Sequence, residues 1–404
     1  MRFLITFFLT SSLTYFFSQD SLKITYYNLL NFPSSQQDRV DTLKKILDFI
    51  QPDIFVVNEL TSFNGGALIK NNVLNSGSNN DFKSALYFDG PDTDNLLFYN
   101  QNKFELYSQQ QIPTQLRDIS EYVLFYKNQL GISTDTSFIY IYSIHLKAGS
   151  SSSNEELRRQ EAETFKQFLV NNNRNERLIV GGDFNFYNHT EPACQEILYG
   201  QGLDLIDPIN QLGNWHNNSF YKNVHTQSTR SSTGGYAGGA YGGMDDRFDI
   251  IFISNDVANG SSGIEYIANT YIADGQDGSY FNQSINSANN SQVPQDIARA
   301  LFYMSDHLPV SLMFSMNPPL STLTSKNKTT YAKFMNSTNN LVIDFQQKED
   351  FTLKIYDLRG KVVYNDRFDN QKQIEIELLF LPKGFYIVDC LLQNDRINYK
   401  FIIE

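Results

Sequence analysis

The sequence predicts an α/β domain of β-sheets covered by helices, followed by a small all-β, Ig-like sandwich. Three observations carry this. Strand-like and helix-like segments alternate through the first three quarters of the chain. Two prolines then open the polar stretch NPPLSTLTSKNKTT (317–330), which reads as a linker. Beyond it, residues 341–404 hold only short alternating segments parted by turn residues. At 404 residues the chain has room for both units.

The first segment, MRFLITFFLTSSLTYFFSQD, sets Arg2 before an apolar run broken by Ser and Thr, then turns small and polar. It is too short to span a bilayer and reads as a signal peptide over 1–18, cleaved near Ser18. Val40, Leu43, Leu47 and Ile50 follow helical spacing, and PDIFVVNEL after them is strand-like. A further helix is predicted over 155–170, between the strand-like FIYIYSIHL and RLIVGGDFN. Arg158, Ala162, Phe165 and Leu169 share its apolar stripe, whereas Arg159, Glu163 and Lys166 fall on the wet face. The stretch STGGYAGGAYGG (232–243) reads as a loop and lacks the spacing of a nucleotide-phosphate motif. In the last unit FTLKIYD, KVVYND, QIEIEL, GFYIVDC and NYKFIIE are strands, turned by Arg359-Gly360 and Pro382-Lys383-Gly384. The expected organisation is a first domain over 20–316, a linker over 317–334 and a second domain over 335–404.

A formal net charge of −12 repels nucleic acid and anionic membranes at long range. A phosphate polymer as substrate therefore requires local cations. Cys194 and Cys390 fall in different units and are expected as unpaired, buried thiols.

The polar residues that bear on chemistry stand at or near strand ends. They are Asn28 in ITYYNLLNF, Glu59 in DIFVVNEL, His145 in IYSIHLKAG, Asp183 and Asn185 in GGDFN, Asp249 in DDRFDIIFIS, and Asp306-His307 in MSDHLPVSLMF. Singly each would serve as a turn or cap residue. Jointly they gather where open sheets collect their ligand sites. Glu59 with Asn28 suits a hard dication such as Mg²⁺, which keeps waters for phosphate oxygens. Two histidines allow one to take a proton while the other gives one, and Asp249 would fix an imidazole tautomer.

These motifs, with Asn28 and Glu59, resemble the endonuclease/exonuclease/phosphatase superfamily, which includes pancreatic-type deoxyribonuclease, over residues 22–316. The resemblance implies a four-layer sandwich of two packed mixed β-sheets flanked by helices, with the site at one end. It implies Glu59 and Asn28 as metal ligands with Asp306 as a further one, and Asp249 paired to His307 as general base. Asp183 and Asn185 would orient water and the scissile phosphate. His145 resembles the second histidine of the deoxyribonuclease and sphingomyelinase branches, the general acid, a position that is not His in the abasic-site repair branch. The Glu that partners this histidine in the deoxyribonuclease branch has only an offset counterpart here, Glu121 in RDISEYVLFY. Arg117, Lys147 and Arg158 are the candidate cations for the substrate phosphate, Arg158 because a charge on a buried stripe near a helix N-terminus suits one. His189, His216 and His225 fall in loop-like stretches and are expected at the surface.

IYDLRGKVVY, LPKGFYIVDC and the terminal KFIIE resemble the C-terminal sorting domain of Bacteroidetes-type proteins exported by the type IX system. This implies the export machinery as a partner and a secreted or outer-surface location. A plain Ig-like module binding carbohydrate or protein is the competing expectation. The chain as a whole is expected to be an exported phosphodiesterase using Mg²⁺, or Mn²⁺ or Ca²⁺ in its place. Its expected substrate is nucleic acid, cut as by a low-specificity endonuclease. A sphingomyelinase-like or phosphomonoesterase activity on the same scaffold stays open, the former hinted at by Tyr236 and Tyr241. So does a surface adhesin that has lost the reaction.

Overall fold

The computed structural model describes residues 21–34, 38–77, 80–127, 138–233, 238–316, 331–335, 340–357, 361–392 and 396–403. The signal-peptide segment, linker residues 317–330 and Tyr236 lie outside these residues.

The first domain begins with β1 (Ser21–Phe32), α1 (Asp38–Ile50), β2 (Ile54–Leu60) and α2 (Phe63–Leu68), which runs into a π-helical turn. Next come β3 (Phe82–Ser84), β4 (Asp94–Asn100), β5 (Phe104–Ile112), β6 (Ile119–Tyr126) and β7 (Phe138–His145). Then follow α3 (Ser152–Asn171), β8 (Leu178–Asp183), α4 (Pro192–Tyr199), β9 (Leu205–Ile206) and β10 (Asp249–Ser254). The domain closes with α5 (Asn255–Asn259), β11 (Ile264–Tyr266), β12 (Ile272–Ala273), α6 (Gln295–Met304) and β13 (Val310–Met316).

These strands form two sheets. One runs β11-β13-β1-β2-β4-β3, with β12 also on β13; the other runs β5-β6-β7-β8-β10-β9. Each is mixed, with one parallel pair, β1–β2 in the first and β7–β8 in the second. The sheets pack face to face: the buried Tyr26 hydroxyl of β1 donates to Tyr142 O of β7 at 3.1 Å. One apolar core joins both sheets with Leu43, Ile46 and Ile50 of α1 and Leu301 of α6. A second core seats Ala162, Phe165 and Leu169 of α3 and Cys194 and Ile197 of α4 on Tyr142, Ile144 and Val180. This is the expected four-layer arrangement.

Lys166 departs from expectation. It is fully buried rather than on a wet face, because α4 and the segment after it cover that side of α3. Its ammonium donates to Ile197 O at 3.1 Å and to Leu203 O, and burial pulls its pKa down to about 8.

The second domain contains β14 (Tyr331–Met335), β15 (Asn340–Asp357), β16 (Val362–Glu377), β17 (Gly384–Leu392) and β18 (Arg396–Ile403). All pair antiparallel, in the order β14-β15-β17-β18 with β16 on β15. The long β15 pairs with β14 through 340–344 and with β17 through 351–357; its register against β16 shifts between these stretches. Both halves contribute to one core, which joins Leu341 and Ile343 to Leu353, Ile355 and Val388. β14, all but Met335 of which falls in the stretch expected as linker, is a strand because its backbone pairs with Asn340–Asp344. Both cysteines are free and buried, and burial pushes the Cys390 thiol up to about 12.

Candidate active site

The register explains why residues so distant in sequence meet. His145 at the end of β7 stands opposite Asp183 at the end of β8, and Asp183 stands opposite Asp249 at the start of β10. The three form one row across the second sheet, so their side chains leave on one face. The two glycines before Asp183 have steric causes. A Cβ on Gly181 would lie 2.6 Å from the Tyr26 ring, and one on Gly182, at φ +135°, would lie 2.0 Å from Ile144 O. Only glycine lets β8 pass this close to its neighbours.

On the first sheet the chain bends at the same end. Between Asn28 and Phe32 the β1–β2 register slips, and Leu30 and Asn31 adopt φ of 49° and 53°. Glu59 and Asn185 are also left-handed, at 59° and 54°. Each such residue costs about 1–3 kcal/mol, which its surroundings must offset. The site carboxylates and amide do part of this. Asn28 Oδ1 accepts from Leu30 N–H at 2.9 Å, Glu59 Oε2 from Asn31 N–H at 2.9 Å, and Asp183 Oδ1 from Asn185 N–H at 3.1 Å.

The two sheets' residues converge directly. The Asn28 amide donates to Glu59 Oε1 at 3.0 Å and to Asp183 Oδ2 at 2.9 Å. His145 Nε2 lies 3.5 Å from Asp183 Oδ2 and 3.9 Å from Glu59 Oε1. His307 Nδ1 is 2.7 Å from Asp249 Oδ2, and its Nε2 is 3.7 Å from Asp183 Oδ2. Ser305 fixes this last corner, donating to Asn28 O at 2.7 Å and accepting from His307 N–H at 3.1 Å. Asn185 Nδ2 donates to Leu146 O at 3.1 Å, which ties the segment after β8 to the one after β7.

Charge is unevenly held. Burial pushes the Asp183 carboxyl up to about 7, helped by Asp249 and Glu59 and opposed by His307 and Asn28. Burial alone would lower His307, but Asp249, Asp183 and Asp306 more than offset it, and the imidazole holds its proton well above the usual range. For His145 burial dominates, and Arg117, His307 and Lys147 add to it, so this imidazole sits well below the usual range and is neutral. Its Nδ1 is buried without a partner.

The oxygen donors fit a hard divalent cation: Glu59 and Asp183 each bring a carboxylate oxygen within 4.8 Å of the other and of the His145 ring nitrogen, and Asp183 is crowded by like charge. Asp306 stands beside this trio. Its Oδ2 accepts from Ala240 N–H at 2.6 Å and Gln227 Nε2 at 3.1 Å, while Oδ1 is buried and unpartnered. Gln227 Nε2 also lies 2.7 Å from His307 Nε2. Sequence reasoning missed Gln227, since it lies in a loop and carries no strand-end signal.

The expected cations fare differently. Arg158 is corrected: it is fully buried, and its Nε and Nη2 donate to Glu191 Oε2 at 2.9 and 2.8 Å. Its Nη1 holds the Lys147 and Gly149 carbonyls, both at 2.8 Å, so four of its five N–H donors are spent inside the protein. Glu191 was missed too, although a Glu before Pro192 at a helix start is a legible signal. Arg117 pairs with Asp92 at 2.9 Å and reaches Leu146 O at 3.3 Å. Lys147 is the least committed, half-buried with Nζ donating to Ala148 O at 3.1 Å. Glu121 does not partner His145; it binds Arg174 at 2.9 and 3.2 Å and the Tyr142 hydroxyl at 2.7 Å. Of the three loop histidines, His225 is not at the surface but fully buried against Trp215 O at 3.0 Å, and the half-exposed His216 sets Nδ1 2.8 Å from Asp246 Oδ1.

Residues 25–307 match the model of the endonuclease/exonuclease/phosphatase family, a span that holds every residue of this site. The chain belongs to that family. It is thus a hydrolase of phosphate esters, of a family whose enzymes use divalent metals. Residues 337–404 match the secretion system C-terminal sorting domain, which directs type IX secretion to the cell surface or beyond. No curated protein matches the chain. Among solved structures, D. rerio TDP2 with a single-strand DNA product is similar at 15% identity and TM-score 0.48, covering 74% of this chain and 100% of that one. The human Nocturnin catalytic domain with bound sulfate is similar at 16% and 0.44, covering 74% and 98%. A Bacteroides thetaiotaomicron mannosyl-6-phosphatase is similar at 14% and 0.46, covering 73% and 100%. At this level of similarity they bear on neither substrate nor mechanism.

Proposed function

We propose that this family member is an exported, Mg²⁺-dependent phosphodiesterase that cleaves nucleic acid with low sequence specificity. The convergence of Asn28, Glu59, His145, Asp183 and His307, drawn from both sheets within hydrogen-bond or ion-pair reach, carries the reading. A divalent cation held by Glu59 and Asn28, with Asp306 Oδ1 as a further donor, would offset charge on the phosphate oxygens. Asp249 holds Nδ1 of His307 and aims its Nε2 into the cluster; a bound cation, by answering the Asp183 charge that helps keep this imidazole protonated, would free Nε2 to take the proton from the attacking water. Asp183 and Asn185 orient that water and the phosphate. His145 gives a proton to the departing oxygen; an imidazole with depressed proton affinity is a strong donor in the fraction that carries one. Lys147 and Arg117 flank it as positive charge toward the phosphate.

A lipid phosphodiester remains the second reading, favoured by Phe63 at 71% and Tyr241 at 65% exposure. Phe63 follows Glu59 by four positions, and Tyr241 follows Ala240, which binds Asp306. One assay decides: purified mature protein with Mg²⁺, offered DNA, RNA, sphingomyelin liposomes and small phosphate monoesters in parallel. His145→Ala and His307→Ala are each expected to slow DNA or RNA cleavage by about 10²–10⁴. Unchanged nuclease rates in both variants would sink this mechanism, and faster hydrolysis of liposomes than of nucleic acid would replace the substrate.

A further inference from the structure

A second group of metal-ligating side chains lies beside the catalytic one and shares no residue with it. His216, Asp245 and Asp246 each bring one ligand atom within 4.8 Å of the others. The three are placed by backbone. His216 N–H donates to Tyr187 O at 3.2 Å, and its ring meets the Tyr187 ring edge-on at 5.3 Å. The amides of Asp245 and Asp246 both donate to Gln227 O at 2.9 Å, and Asp246 O accepts from Thr226 and Gln227 N–H at 2.7 and 3.1 Å. The cluster is therefore strapped to the segment after Asp183 on one side and to Gln227 on the other.

Its charge is unanswered. Asp246 is 8% exposed, and burial pushes its carboxyl up to about 6 against the pull of His216. Burial also raises Asp245, with His216 the opposing influence. Arg247, immediately after the two aspartates, is turned away: it is fully buried and bound to Asp207 at 2.7 and 2.9 Å. Among the described residues no Lys or Arg pairs with either carboxylate.

The spacing suits coordination. His216 Nδ1 lies 2.8 Å from Asp246 Oδ1. Two donors each ~2.1 Å from one ion in neighbouring octahedral positions are ~3 Å apart, and opposite ones are ~4.2 Å apart. Small side-chain movements would therefore close the trio on an ion. The His216 side chain is 51% exposed, so one side stays open for water or a substrate oxygen. One imidazole with two carboxylates favours a first-row transition ion over Ca²⁺ or Mg²⁺.

We propose that His216, Asp245 and Asp246 form a second divalent-cation site, for Zn²⁺ or Mn²⁺, separate from the Glu59–Asp183 centre. An ion there places positive charge at the rim of the site on a chain of net charge −12, where Arg158 supplies none. It also braces Gln227, whose side chain reaches His307 and Asp306. The binding claim is independent of the proposed substrate and is read without activity.

Chelator-stripped, untagged full chain carrying Glu59→Gln is titrated with Zn²⁺ and with Mn²⁺ by calorimetry. One equivalent of either ion is expected to bind. That uptake should fall to none when His216→Ala or Asp245→Asn is added, each double variant keeping the circular dichroism of the parent. No uptake of either ion in Glu59→Gln, or uptake unchanged by both added substitutions, overturns the site.

Discussion

Replacing Arg158 by Met separates two roles that a substrate assay alone would confuse. The guanidinium is fully buried, its partner Glu191 is 3% exposed, and it also holds the Lys147 and Gly149 carbonyls. Met keeps most of the aliphatic stem but leaves Glu191 charged and unpaired, a loss of about 3–5 kcal/mol for one partner of a buried pair. Glu191→Met leaves the opposite charge stranded and also removes the acceptor for Tyr187 N–H, at 2.8 Å. The double variant removes both charges and is expected to cost less than the two singles together, with a coupling of about 2–3 kcal/mol. Urea unfolding followed by Trp fluorescence reads this directly, since Trp215 is the one tryptophan of the chain and is buried under Arg247. If Arg158→Met is as stable as the parent while its KM for DNA rises about tenfold (~1.4 kcal/mol of lost binding), the side chain holds phosphate and the clamp is wrong.

Asp249→Asn removes the carboxylate that holds His307 Nδ1 and helps keep that imidazole protonated. kcat should fall about 10²–10⁴, and the limb of its pH profile that reports His307 should move to lower pH; an unmoved limb refutes the pairing. Asp274, fully buried with Ser311 Oγ at 2.5 Å, has its carboxyl pushed by burial to about 7. Its proton is favoured in the folded state, so its stabilisation is complete below about pH 4 and is lost as pH rises through about 7, about 4 kcal/mol in all. Asp274→Asn should therefore gain stability relative to the parent between pH 4 and 8 in urea titrations, and a constant difference refutes the assignment. Cys194 and Cys390, at 0% and 1% exposure, should both resist a thiol-disulfide reagent in the native chain and react on unfolding. Rapid native labelling of either contradicts the packing.

The protonation pattern follows from where the carboxylates stand. Asp183 touches Asn28 and lies between the two imidazoles, so it is the group on which burial and like charge fall together. His307 collects the compensating proton because Asp249, Asp183 and Asp306 all face it. His145 faces Arg117 and Lys147 instead and has no acceptor at Nδ1, so the same burial strips it of charge. Two histidines a few ångströms from one carboxylate are thus driven apart, one toward holding a proton and one toward releasing it.

What could be read from the sequence was whatever local pattern determines. The runs that became β7 and β8 end in His145 and Asp183, β10 opens on Asp249 and Asp306-His307 precede β13, and strand ends in packed sheets are where side chains from separate segments meet. The row His145–Asp183–Asp249 was legible for that reason, since each member is placed by its own strand. Gln227 was not, because its position depends on two aspartate amides and on reaching His307 and Asp306 from a loop with no period of its own. Arg158 and Lys166 failed differently. Helical spacing put Arg158 correctly on the buried stripe, but spacing cannot say what a buried cation faces, and Glu191 lies 33 residues away. For Lys166 the error was the width of the stripe, since α4 covers a side of α3 that a lone helix would leave wet. A helix pattern reports the face it buries against its sheet; a second helix packed over it leaves no mark in that pattern, and a buried charge's partner must be found in space.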